Sequence, residues 1–156
     1  MTLIVVDASV AVKWVVTEEP VEETAAARLL TRRARLAAPR LLDAELGNIL
    51  WRKRRKGELT ADEAEEAAIV LENAPLERGA EAGLWLRALA LAAEMDHPVY
   101  DCVYVALAER LQAAFVVTAD RRFAQRFASG SAPHTEGAPL VIMVGDAGAR
   151  LDALQE

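Results

Sequence analysis

The chain has 156 residues, 53 % of them hydrophobic and 27 % charged, which is enough apolar material for a proper core and excludes intrinsic disorder. Its length favours one domain spanning residues 1–156. A net charge of −6 argues against a bulk coat for nucleic acid, although ten of the 18 Lys and Arg residues fall between Arg28 and Lys56 and make that stretch locally basic.

Leu3–Val6 is a β-branched run that ends at Asp7 and reads as a buried parallel strand. Ser9 is placed to cap a short helix that runs to about Val16. Glu18, Glu19 and Pro20 mark a turn before a helix over residues 21–34, and Leu36–Ala38 is a short strand. Pro39 opens a helix to about Lys56, with Gly57 placed to end it. Thr60 and Glu63 form a capping box for a helix to about Asn73. Leu76–Glu81 is ambiguous, with room for a short strand. Residues 82–95 make a helix that is apolar nearly all round, expected in the core, with a subunit or partner groove as the alternative.

His97-Pro98 breaks the chain before a helix from Tyr100 to Gln112. Phe115–Thr118 is a second clear strand, and Asp120 can cap a helix to about Ala128. Residues 129–139 form a loop rich in Gly, Ser, Ala and Pro, Leu140–Val144 is a third strand, and the tail carries no signal of its own. Strands alternating with helices imply a parallel sheet covered on both faces.

Cys102 is the only cysteine, so no internal disulfide or zinc knuckle forms. The cytoplasm is the expected compartment. The N-terminus lacks a basic leader and is interrupted by Asp7 and Lys13, so it is neither a signal peptide nor a membrane span.

The acids carry the chemistry. Asp7 and Asp120 each follow a strand, at the carboxyl ends where parallel sheets bind ligands. Asp101 lies in the first turn of its helix, and Glu45 interrupts an apolar helical stripe. Singly, each has a structural reading as a cap, a dipole partner or a salt-bridge partner. Jointly, they are placed to share one cleft. Four carboxylates there repel one another and would hold protons unless a cation intervened. Oxygen ligands without a His or Cys partner select Mg²⁺ or Mn²⁺. His97 reads as a local turn residue and His134 as a loop residue.

At this point the motifs resemble a known family. VVDASVAVKWVVTEE, APRLLDAELGNILWR, YDCVYVALAER and VVTADRRFA are similar, in order and spacing from residue 4 to residue 124, to the four motifs of PIN-domain ribonucleases. They are closest to VapC-type toxins of toxin–antitoxin pairs. The resemblance implies a three-layer α/β/α fold around a parallel sheet, usually as a homodimer. It implies that Asp7, Glu45, Asp101 and Asp120 are catalytic acids holding Mg²⁺ or Mn²⁺, with Ser9 and Thr118 as supporting hydroxyls. It implies RNA cleavage by metal-activated water, leaving a 5′ phosphate and a 3′ hydroxyl, under restraint by a VapB-like antitoxin. One departure is the stretch 128–139, longer than usual for that connection.

Arg52, Arg55, Arg121 and Arg122 are candidate RNA contacts; helix-end solubility is the competing reading of the first two. Arg32, Arg33 and Arg35 fit RNA or an acidic antitoxin segment equally well. Trp14, Trp51 and Trp85 are expected to pack rather than to stack on bases. A phosphoryl-accepting receiver is disfavoured because Asp7 stands without an acidic neighbour and no lysine follows Lys56. A haloacid-dehalogenase-type phosphatase is disfavoured because Ser9 stands where its second aspartate would be. A PIN-like RNA- or protein-binding module without catalysis remains the alternative.

Overall fold

The computed structural model describes residues 1–79, 82–128 and 140–156. Five parallel strands form one sheet: β1 (Leu3–Val6), β2 (Arg35–Ala38), β3 (Leu76–Arg78), β4 (Phe115–Thr118) and β5 (Leu140–Met143), in the spatial order β3–β2–β1–β4–β5. The helices are α1 (Ala8–Ala11), α2 (Val21–Arg33), α3 (Leu41–Arg55), α4 (Ala61–Glu72), α5 (Leu84–Met95), α6 (Val99–Leu111), α7 (Arg121–Arg126) and α8 (Ala147–Ala153).

Alternation along the strands builds two cores. Val5, Ala37 and Val116 face a layer that contains α3–α7, while Ile4, Val6, Leu36 and Val117 face α2 and α8. Burial on both faces is why these strands read as unbroken apolar runs. The expected three-layer α/β/α architecture is what the chain adopts. β1 and β4, separated by more than 100 residues, are neighbours paired through Val5–Val116 and Val6–Val117. From β1 the chain first builds outward to β2 and β3, then returns to β4 on the other side. The carboxyl ends of β1 and β4 are therefore the switch point of the sheet.

Local signals largely hold. Gly57 adopts a left-handed φ of +74° and closes α3, with the Gly57 and Glu58 amides bonded back to the Arg54 and Lys53 carbonyls. Thr60 and Glu63 complete the capping box of α4. The ambiguous stretch supplies β3, an edge strand beside β2.

Four local readings need correction. The cap of α1 is Asp7, not Ser9, because the Asp7 carboxylate accepts the Val10 amide at 3.2 Å. The tail does fold: a 3₁₀ turn (Val144–Asp146) leads into α8, and Val144, Ala147 and Leu151 are fully buried. Its small residues hid that spacing. Helix α5 buries only the stripe Leu84, Ala88, Leu91 and Met95, leaving Trp85, Leu86 and Leu89 at 62, 58 and 52 % exposure. Trp51 is likewise in solvent, with the Arg55 guanidinium 5.0 Å from its ring centre. Trp14 does pack inside, its indole N–H donating to the Ala27 carbonyl at 3.0 Å. Residues 129–139, including His134, lie outside the described residues.

Candidate active site

Asp7 follows directly from β1 and is almost wholly buried. Its Oδ1 accepts the Ser9 hydroxyl at 2.5 Å and the Val10 amide, and its Oδ2 accepts the Thr118 hydroxyl at 2.5 Å. Those two hydroxyls also tie down the start of the α7 loop: Ser9 accepts the Ala119 amide at 2.8 Å and Thr118 the Asp120 amide at 3.0 Å. Asp120 itself caps α7, accepting the Arg122 and Phe123 amides at 2.9 and 3.4 Å.

Glu45 enters from the second turn of α3, where Leu42 and Leu46 beside it anchor the helix in the core. Its Oε1 accepts the hydroxyl of buried Tyr104 at 2.5 Å. Asp101 enters from the first turn of α6, where its Oδ2 lies 2.7 Å from His97 Nε2.

All four acids line one cleft of about 270 Å³, together with Ser9, Asn48 and Arg52. A larger hollow of about 600 Å³ between α7, β5 and α8 holds Asp146 as its one acid among the described residues. Thr118 sits beneath the cleft, fully buried against Asp7. Of the candidate RNA contacts, Arg52 lines the cleft. Arg55 is drawn onto Trp51, and Arg121 and Arg122 open α7, immediately after Asp120. Lys53 belongs to a different network. It pairs with Glu18 at 2.8 Å and Glu58 at 3.3 Å, and Glu18 also takes buried Lys13 at 2.9 Å. Arg33 and Arg35 are likewise committed, to Asp152 and Glu77.

The electrostatics follow from crowding and burial. Burial pushes Asp7 from an ordinary 3.8 up to about 7 against the pull of its hydrogen bonds, and the charge of Asp101 adds to the push. Glu45 and Asp101 are raised by burial too. Asp101 raises Glu45 further, and Asp120 raises Asp101, while Tyr104 and His97 oppose these shifts. Burial lifts the Cys102 thiol to about 11, which keeps it protonated and no nucleophile. Among the described residues no three acidic, His or Cys side chains converge as a ready-made metal cage. The acids border a common space instead.

Sequence reasoning missed Tyr104, His97 and Asn48. Tyr104 and Asn48 were visible as polar groups at helical spacing from Asp101 and Glu45. His97 stands four residues before Asp101, within reach of its carboxylate.

The PIN domain family model matches residues 4–127, which is most of the chain. The chain belongs to the PIN domain family. Ribonuclease VapC3 from Pyrobaculum aerophilum is 35 % identical over 126 residues, 80 % of this chain and 94 % of that one. The crystal structure of PAE2754 from the same organism superposes with a TM-score of 0.68 at 24 % identity, over 97 % of this chain and 98 % of that one. VapBC2 from Rickettsia felis, solved bound to a DNA fragment from its promoter, gives 0.59 at 14 % identity over 91 % and 98 %. These two likenesses support the fold. Among the described residues no helix is long and apolar enough to cross a membrane.

Proposed function

We propose that this PIN-domain chain is a Mg²⁺- or Mn²⁺-dependent endoribonuclease, the toxin of a type II toxin–antitoxin pair. The observation that carries the reading is the meeting of Asp7, Glu45, Asp101 and Asp120 on one cleft at the switch point of the sheet. The kinship with Ribonuclease VapC3 supports RNA as the substrate.

The donor set fits a hard divalent ion. It is all oxygen, and three of its carboxyls are raised by burial and mutual repulsion, a cost that a cation would remove. Asp7, Glu45, Asp101 and Asp120 are the residues that would hold it, directly or through its waters. A divalent ion so held supplies activation of a water and charge stabilisation of the departing oxygen in phosphodiester hydrolysis.

The rest of the work falls to the chain. Ser9 and Thr118 hold Asp7 at both oxygens, so it faces the cleft in one orientation. Tyr104 does the same for Glu45. Arg52 meets a substrate phosphate on the wall of the cleft, and Arg121 and Arg122 extend the cationic track beyond Asp120. Arg55, stacked on Trp51, contributes at the outer edge. Exposed Trp85, Leu86 and Leu89 give a second copy of the chain a face to cover, in keeping with a homodimer. A VapB-like antitoxin is the proposed inhibitor and the cytoplasm the proposed place of action.

The test is incubation of purified chain with structured RNA, with Mn²⁺ or with EDTA. Cleavage is expected with Mn²⁺ only, leaving 5′ phosphates, and Asp7→Ala abolishes it. Cleavage surviving in Asp7→Ala overturns the assignment of the site. Binding of RNA without any cleavage in Mn²⁺ supports the non-catalytic module instead.

A further inference from the structure

His97 is the one histidine among the described residues, and its position is more constrained than a turn residue requires. It sits in the link between α5 and α6. Its amide donates to the Ala92 carbonyl at 3.2 Å, and its own carbonyl accepts the Cys102 thiol at 3.8 Å, so the backbone is held from both helices. The imidazole is stacked on Phe123 at 5.4 Å between ring centres and 20° between planes, and it meets Phe127 edge-on at 5.8 Å and 87°. Both rings are buried and belong to α7 and its C-terminal cap. The side chain is 10 % exposed, and Nε2 lies 2.7 Å from Asp101 Oδ2. An ionised carboxylate only accepts, so with Asp101 ionised Nε2 carries the proton in this bond. Asp101 Oδ1 takes no hydrogen bond among the described residues.

We infer that His97 is a positioning residue of the acid centre, one that fixes the Asp101 carboxylate and ties the start of α6 to the start of α7, where Asp120 stands. The inference rests on the reading of Asp101 as a metal-holding acid. Phe123, which stacks on the imidazole, lies three residues beyond Asp120, and Asp120 accepts its amide. One imidazole thus links the two helix starts that deliver two of the four acids to the cleft. Without it, Asp101 loses the donor that sets its rotamer, and Phe123 and Phe127 lose the ring that packs against both of them. Outer-shell donors of this kind change metal affinity by roughly 10- to 100-fold when removed.

The test uses the full chain with Mn²⁺ alone, reading the dissociation constant by electron paramagnetic resonance of the free ion. His97→Phe keeps a ring for Phe123 and removes the donor; it is expected to weaken Mn²⁺ binding roughly tenfold or more. His97→Gln sets an amide N–H near the place of Nε2 and should restore most of the affinity. Wild-type affinity in His97→Phe overturns the positioning role and leaves the metal reading standing. Failure of the wild-type chain to bind Mn²⁺ overturns the metal reading itself.

A measurement independent of any variant's folding is long-range ¹H–¹⁵N NMR of the wild-type imidazoles, with only two histidines to assign. It should show the proton of His97 on Nε2. A proton on Nδ1 alone overturns the proposal.

Discussion

Asp7→Asn should stabilise the metal-free protein at alkaline pH while removing its metal response. In the fold the Asp7 acid is pushed from 3.8 up to about 7, principally by burial. At roughly 1.4 kcal/mol per tenfold change in proton affinity, ionising Asp7 within the fold costs about 4 kcal/mol more than ionising it in the unfolded chain. Between pH 4 and pH 7 the folded chain keeps a proton that the unfolded chain has released. The stability linked to this group is therefore fully present below about pH 4 and is lost as pH rises through about 7. Glu45 and Asp101, also raised, act in the same direction, and lowered Glu18 acts in the opposite one.

Asparagine mimics the neutral acid in shape but turns one acceptor into a donor. The amide nitrogen must take the place of Oδ2, since Oδ1 accepts the Val10 amide, so Thr118 must reverse its hydroxyl, at a cost of about 1 kcal/mol. The expected gain at pH 8 is thus about 3 kcal/mol, shrinking toward zero near pH 5. Urea unfolding in EDTA at the two pH values reads it. In Mn²⁺ the order should reverse, because only the wild-type chain gains from binding. A variant no more stable than wild type at pH 8, or a gain that does not vary with pH, would refute the burial argument for Asp7.

Tyr104→Phe leaves the Glu45 carboxylate without its donor and is expected to lower stability by about 1–2 kcal/mol, read by denaturant unfolding, and to lower Mn²⁺ affinity. Glu18→Ala strands buried Lys13 and destabilises by about 2–3 kcal/mol, below the range for fully buried pairs because Glu18 keeps 23 % exposure. The loss should shrink as pH falls and the wild-type Glu18 protonates, since a depressed acid contributes above its unfolded pKa and not below its folded one. Arg52→Ala should raise KM for RNA with little change in kcat, and flatten the salt dependence of binding to single-stranded RNA by roughly one phosphate contact.

Much of this site was legible in the chain because strand ends are. Leu3–Val6 and Phe115–Thr118 are short apolar runs, each followed closely by an acid, and a parallel sheet delivers such acids to the same edge. Pairing of β1 with β4 then sets Asp7 and Thr118 in hydrogen-bond contact across 111 positions. Glu45 was visible as a charge on a buried stripe. Tyr104 was not singled out and His97 was read as a turn residue, since each acts through side-chain contacts whose direction periodicity does not encode. Helix α5 misled for a related reason: composition reports how apolar a helix is, but not whether the chain has a second surface to cover it. The tail was obscured because Gly145 and Gly148 weaken a helical pattern that tertiary burial of Val144, Ala147 and Leu151 still enforces.

The measurement that bears most directly on the central claim is an anomalous difference map from crystals grown with Mn²⁺. A peak is expected in the cleft bordered by Asp7, Glu45, Asp101 and Asp120, absent from crystals of Asp7→Asn. No peak there at saturating Mn²⁺, or one beside Asp146 alone, would contradict it.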